Sequence, residues 1–396
     1  MRALLVLLLI ATVAPSQIAI KADMIHTVAG KPIADGVVIV RDGRIAAVGP
    51  ASAIQVPAGF EVLTAKVCIP GLIDAHTVVG LAGYLNQDQD QDQLDRTSPI
   101  QPELRAIDAY NAKERLVDFV RSLGVTTLHT GHAPGALISG QTMIVKTAGA
   151  TTEEAVRKPF AMVACTLGES AQGKGGKSPG SRGKVVAMLR AQLLKAQRYA
   201  ADKKEGKDIP RDLGLDALAD VLAGKVPLLV TVNRATDIMT ALRIKQEFGL
   251  NMILDSAADA HMVLDDIKAA QVSVIVHAPL VRARGERENA TFELAARLHQ
   301  AKIPFAFQSG YESYVPKTRI VLFEAAIAAA FGLGFDATLH ALTRGAAELL
   351  GIADRVGSIE VGKDADLALY DGDPFEYTTH CVGVIIDGKV ASRTQR

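Results

Sequence analysis

The 396-residue chain has no excess of either charge: 43 lysines and arginines face 43 aspartates and glutamates. Such a balance gives no whole-molecule field to hold nucleic acid or an anionic membrane, which leaves a small-molecule ligand as the expected partner. Cysteine is scarce as well. Cys68, Cys165 and Cys381 stand far apart and form neither a CxxC pair nor a disulfide ladder. Cys68 and Cys165 lie in apolar runs and read as packing residues. Nucleophile and nucleotide signatures are missing. Gly176-Lys-Ser-Pro-Gly180 spells a nucleophile elbow, yet no strand leads into it and no helix directly follows. The Lys177-Ser178 pair would end a phosphate loop only if glycine stood at Ala171. The alternating acids around Asp88, Asp90 and Asp92 fail the EF-hand pattern, which requires glycine at Gln93 and glutamate at Pro99. A solvated loop fits them better.

No hydrophobic run of membrane-spanning character follows the first residues. The opening stretch from Met1 to Ala14 has one positive residue and then an apolar run shorter than the ~20 residues of an anchor. Small residues at Ala14 and Ser16 sit where a signal peptidase cuts. The expectation is a leader over 1–16, export to the periplasm or the exterior, and no membrane anchor after cleavage.

What is present is alternation. From Ile18 to Lys66 short strands are punctuated by glycines, with Asp42-Gly43 as a hairpin turn. The segment from Gly357 to Val390 has the same texture and its own Asp387-Gly388. Between them strand patterns such as Val125–His129, Pro227–Val232 and Val272–Val276 alternate with helical ones such as Lys184–Lys203 and Ala235–Phe248. The predicted fold is α/β. A (β/α)8 TIM-type barrel over 67–354 is joined to a small composite β-sandwich made from 17–66 and 355–396.

The organising stretch is Val67-Cys-Ile-Pro-Gly-Leu-Ile-Asp-Ala-His76, an apolar strand that ends on an acid and an imidazole. It resembles the first barrel strand of the amidohydrolase superfamily, in which PGLIDxHxH supplies two metal ligands. Gly357–Leu367 and Asp35–Ile45 are similar to the strands that flank the barrel in imidazolonepropionase-like members. The resemblance implies hydrolysis of a C–N bond in a small amide or cyclic amide at a divalent metal such as zinc. That cation lowers the pKa of water to about 7 and polarises the carbonyl.

The ligand set is depleted. Val78 stands at the second histidine of the motif, Thr231 at a third, Ala164 or a neighbour at the bridging residue, and Gly310 at the aspartate, while Asp255 offers an oxygen. His76, His129, His132 and His277 all lie at strand ends, and three of them suffice for one zinc at a reduced site. The alternatives are a metal-free Asp74/His76 acid–base pair, or a barrel without chemistry that binds or scaffolds. Arg234, Arg282, Arg284, Lys317 and Arg319 fall in strand-end loops, where converging guanidinium groups would suit a carboxylate ligand. Assembly with copies of itself is left open.

Overall fold

The computed structural model describes residues 17–85, 87–173, 175–311 and 320–393. The leader expected over 1–16, and with it Lys317 and Arg319, lies outside the described residues.

Both chain ends enter one sheet. Strands β1 (Gln17–Ile25), β2 (Ile33–Arg41), β3 (Arg44–Pro50) and β4 (Glu61–Pro70) come from the first part of the chain. The composite unit made from the two chain ends is hydrogen-bonded as seven strands: the last three strands add to β4, and β1, β2 and β3 lie on its other side. Its hairpins obey the turn chemistry of the sequence. Asp42 and Gly43 take φ of 50° and 80°, and Asp387 and Gly388 take 48° and 72°, the two positive values a type I′ turn requires. Alternating Ile18, Ile20, Val38 and Val40 point to one side and bury a cluster with Leu367, Leu369 and Ile385.

The Pro70-Gly71 step separates two sheets within the organising stretch. Val67 to Pro70 belong to β4, and β5 (Leu72–Thr77) opens the second, fully buried layer. Gly71 is required there, because a Cβ would sit 2.1 Å from the Thr126 hydroxyl. β5 pairs in parallel with β6 (Val125–Thr130). Beyond β6 the chain makes two short strands the alternation had not announced, β7 (Ile138–Gln141) and β8 (Met143–Lys146), with β9 (Val156–Lys158) antiparallel to β8.

Next come β10 (Val163–Thr166), β11 (Leu228–Val232), β12 (Met252–Ser256), β13 (Ser273–Val276) and β14 (Phe305–Ala306). They form a sheet in the order β14-β13-β12-β11-β10-β7, beside a four-stranded sheet β5-β6-β8-β9. The middle of the chain is thus α/β, with two sheets where one closed ring was expected. β15 (Leu367–Tyr370), β16 (Cys381–Ile386) and β17 (Lys389–Arg393) complete the chain-end sheet.

Helices alternate with these strands as the periodicity predicted. The helix Arg182–Lys204 is capped by Ser181, whose hydroxyl accepts from Lys184 N. The helix Ala235–Phe248 ends on Gly249 at φ 65°, and Leu294–Ala301 ends on Lys302 at φ 59°.

Candidate active site

Ile73 and Ala75 of β5 share an apolar cluster with Leu229, Ile253, Ile275 and Ala306, one residue from each of β11 to β14. This is the inner face. Two residues further along their strands, the same face carries Thr231, Asp255, His277 and Gln308. The carboxyl ends of the strands therefore deliver a polar layer above an apolar plug.

β5 does not follow simple alternation. Its pairing with β6 slips between Asp74 and Thr77, so this strand carries an extra residue there. The bulge decides where the motif's two polar side chains go. His76 turns to the inner face and meets Asp255. Asp74, flanked by inward Ile73 and Ala75, points to the opposite face, where its Oδ1 accepts from the Ser309 backbone N–H at 3.0 Å. The expected Asp74/His76 acid–base pair is thus corrected: Asp74 ties the end of β5 to the segment after β14. Burial pushes its carboxyl up to about 7, with the Ser309 hydrogen bonds and His76 pulling the other way.

His76 is fully buried. Its Nδ1–H donates to Asp255 Oδ1 at 3.0 Å. The same oxygen accepts from Gln308 Nε2 at 2.8 Å, and Asp255 Oδ2 accepts from the Thr231 hydroxyl at 2.6 Å. For both members of the pair burial opposes charge, yet the pair prevails. Burial lowers the His76 pKa but the Asp255 carboxylate more than restores it, leaving it above the ordinary value. Burial raises that of Asp255, and His76, Thr231 and Gln308 outweigh it, leaving it below the ordinary value. Two polar atoms remain unspent beside this network: His76 Nε2 and Gln308 Oε1 are buried without a hydrogen-bond partner. Backbone strain accompanies it. Ser256 and Ala257, directly after Asp255, take φ of 69° and 47° in the left-handed region, and Ser256 Oγ is anchored on Asn233 Oδ1 at 2.7 Å.

The other histidines do not join His76 in a metal site. His129 Nδ1–H donates to the Ala75 carbonyl at 2.6 Å and Nε2 accepts from the Thr142 hydroxyl at 2.7 Å, so both nitrogens are consumed. Burial, reinforced by the charge of His76, pushes its pKa down to about 3. The His132 ring lies against Gly140, where a Cβ would come 2.4 Å from its Cδ2, and burial takes it down to about 4. His277 Nδ1 lies 3.0 Å from the Ala278 carbonyl. Val78, at the second ligand position, packs among Ala82, Ala133, Leu94 and Tyr311. Among the described residues no group of three or more His, Cys, Asp or Glu side chains is placed to hold a metal ion. Both Asp255 oxygens are already committed, so this donor set does not fit the superfamily's metal centre.

Arg234 Nη1 pairs with Glu288 Oε1 at 3.4 Å, while Arg282 and Arg284 are exposed on the loop after β13. Sequence reasoning overlooked Gln308 and Thr142. Both sit beside residues it had weighed, but no spacing rule marks an amide or a hydroxyl as the partner of a distant histidine.

Residues 332–391 match the amidohydrolase family Amidohydro_3. An imidazolonepropionase of Sphingopyxis alaskensis is 25% identical over 366 residues, 87% of this chain and 88% of that protein. A crystal structure of an amidohydrolase from Thermotoga maritima superposes with a TM-score of 0.90 at 28% identity, covering 95% of this chain and all of the other. The chain belongs to the amidohydrolase superfamily, on its imidazolonepropionase-like branch. Amidohydrolase tasK of Hapsidospora irregularis is 23% identical over 388 residues, but this chain spans only 39% of that relative's length. The superfamily's PGLIDxH signature runs from Pro70 to His76, across the step from β4 into β5, and Val78 stands where its next histidine would.

Proposed function

We propose that this protein hydrolyses a C–N bond in a small amide or cyclic amide without a metal, using His76 as the proton carrier. The carrying observation is the pair of unspent buried atoms, His76 Nε2 and Gln308 Oε1, gathered around Asp255. Asp255 fixes the tautomer with the proton on Nδ1, which leaves Nε2 as an acceptor when the ring is neutral. Gln308 must turn its NH2 to the carboxylate, which turns its carbonyl oxygen away from it. One water can donate a hydrogen to each, keeping a lone pair for the substrate.

His76 Nε2 takes a proton as the water oxygen bonds to the carbonyl carbon. The C–N bond then breaks, and the same proton passes from Nε2 to the leaving nitrogen, giving a carboxylic acid and an amine. The two middle sheets are read as one (β/α)8-type barrel around this site. Support comes from the Ala75 N–H to Phe307 carbonyl bond at 3.0 Å and the Thr77–Gly310 bridge between them. A carboxylate on the substrate, met by Arg234, Arg282 or Arg284, belongs to the same proposal.

The test is a panel of cyclic amides, N-acyl amino acids and their neutral counterparts, assayed for amine release before and after exhaustive chelation. Turnover that survives chelation and falls about 10²- to 10⁴-fold in His76→Ala is expected. Turnover that appears only when zinc or manganese is restored would refute the metal-free mechanism. A folded protein that binds members of the panel and turns over none would favour the binding role.

A further inference from the structure

A cavity of about 590 Å³ lies outside the strand layer, between the helices Arg182–Lys204 and Ala235–Phe248. Its floor is apolar, formed by Leu167, Val185 and Met239, and its two ends differ in charge. At one end Asp237 is 5% exposed, and its Oδ2 has no hydrogen-bond partner. The closest cation, Arg182 Nε, is 3.7 Å from the other oxygen, beyond hydrogen-bond reach. Gly168 at φ +122° makes room for this end. A Cβ there would stand 3.4 Å from Asp237 Oδ2 and 2.5 Å from Glu286 Oε1. Asp237, Glu286 and Glu169 together outnumber Arg182 and Arg234, so the end is anionic. An acid in the first turn of a helix is favoured by the helix dipole, but the dipole does not explain an oxygen buried without a donor.

The other end carries Arg243. Its guanidinium donates to the Thr240 hydroxyl one turn back, at 2.7 Å, and among the described residues it pairs with no carboxylate. Neighbouring Arg190 is already bound through Nε to both Glu247 oxygens, at 2.8 and 3.0 Å. Asp237 and Thr240 are three residues apart, about 4.5 Å along the helix axis. The cavity thus presents, on one helix, a buried acceptor in need of a donor and a cation with no carboxylate partner.

We propose that this cavity is a binding site for a short amino carboxylate, its ammonium on Asp237 and its carboxylate on Arg243. A molecule with both charges satisfies both ends at once, whereas an anion alone would be repelled by Asp237 and Glu286. The site needs nothing from the inner face of the strands.

Calorimetry on the full chain with 4-aminobutanoate, butanoate and butylammonium tests it. The zwitterion should bind at least about 10-fold more tightly than either singly charged analogue. Asp237→Asn and Arg243→Gln should each abolish that preference at an unchanged melting temperature, and His76→Ala should leave it intact. Arg243 is exposed, so its variant will fold even if Asp237→Asn does not. Equal binding of the analogues, no binding of the zwitterion, or a preference that survives Arg243→Gln would overturn the proposal. Loss of the preference in His76→Ala would place the ligand in the strand-end site and overturn it too.

Discussion

His76 can act as a base only when its ring is neutral, and its pKa is held above the ordinary 6.5 by Asp255 against the opposing effect of burial. Hydrolysis should therefore rise with pH through a single ionisation above 6.5, and a kcat/KM profile will show whether it does. Asp255→Asn removes the charge that raises this pKa. The rising limb should move to lower pH while the plateau falls by about 10²-fold or more, since the amide no longer stabilises the imidazolium.

Asp74 makes the opposite prediction. Its folded pKa, about 7 against 3.8 in a free chain, is raised, so its contribution to stability is full below 3.8 and is lost as pH rises through 7. Asp74→Asn keeps an acceptor for Ser309 N–H and removes the charge. At pH 8 the variant should be more stable than the parent, by up to about 4 kcal/mol at 1.36 kcal/mol per unit, and at pH 4 no more stable. Activity should stay within about tenfold, because the side chain lies across the sheet from His76. Urea midpoints at the two pH values read the difference.

At the scale of elements, β8 is clamped to the chain-end sheet through Lys146. This lysine is 2% exposed and bonds Asp364 at 2.9 Å, Asp366 at 3.2 Å and also Asp387, with Arg157 and Arg355 completing the network. Burial pushes the Asp366 carboxyl up to about 6 despite Lys146 beside it. Removing one member of such a network leaves the others buried and unpaired. Lys146→Met should cost about 3–5 kcal/mol in chemical denaturation while leaving kcat of the folded fraction unchanged.

Elements that obey one period were legible in advance. β11 and the helix Ala235–Phe248 fall within a residue of their patterns because one buries both faces and the other a single stripe. β7 and β8 were not, since each is only four residues long and Gly140 at φ +137° interrupts their pattern. The bulge in β5 was equally hidden. One extra residue leaves no mark in composition, yet it reverses the side on which His76 emerges and separates it from Asp74.

For the whole molecule the metal question is one of linkage. If no donor set fits a cation, chelation should leave the melting temperature unchanged, and elemental analysis should find well under one equivalent of zinc, iron or manganese. Export remains a proposal with a direct check. A mature N-terminus between Pro15 and Ile18 is expected from sequencing of the purified protein, and an intact Met1 would exclude it.

The pairing of β4 with β15 matters before the molecule is complete. Val67–Pro70 meet Leu367–Tyr370, so about 300 residues must leave the ribosome between one strand and its neighbour. At ~5–20 residues per second that delay is roughly 15–60 s. During it the edge of β4 has no partner within its own chain and is open to strands from other chains. A holding chaperone that covers an exposed strand edge during synthesis should therefore raise the soluble yield more than one that acts on the finished protein.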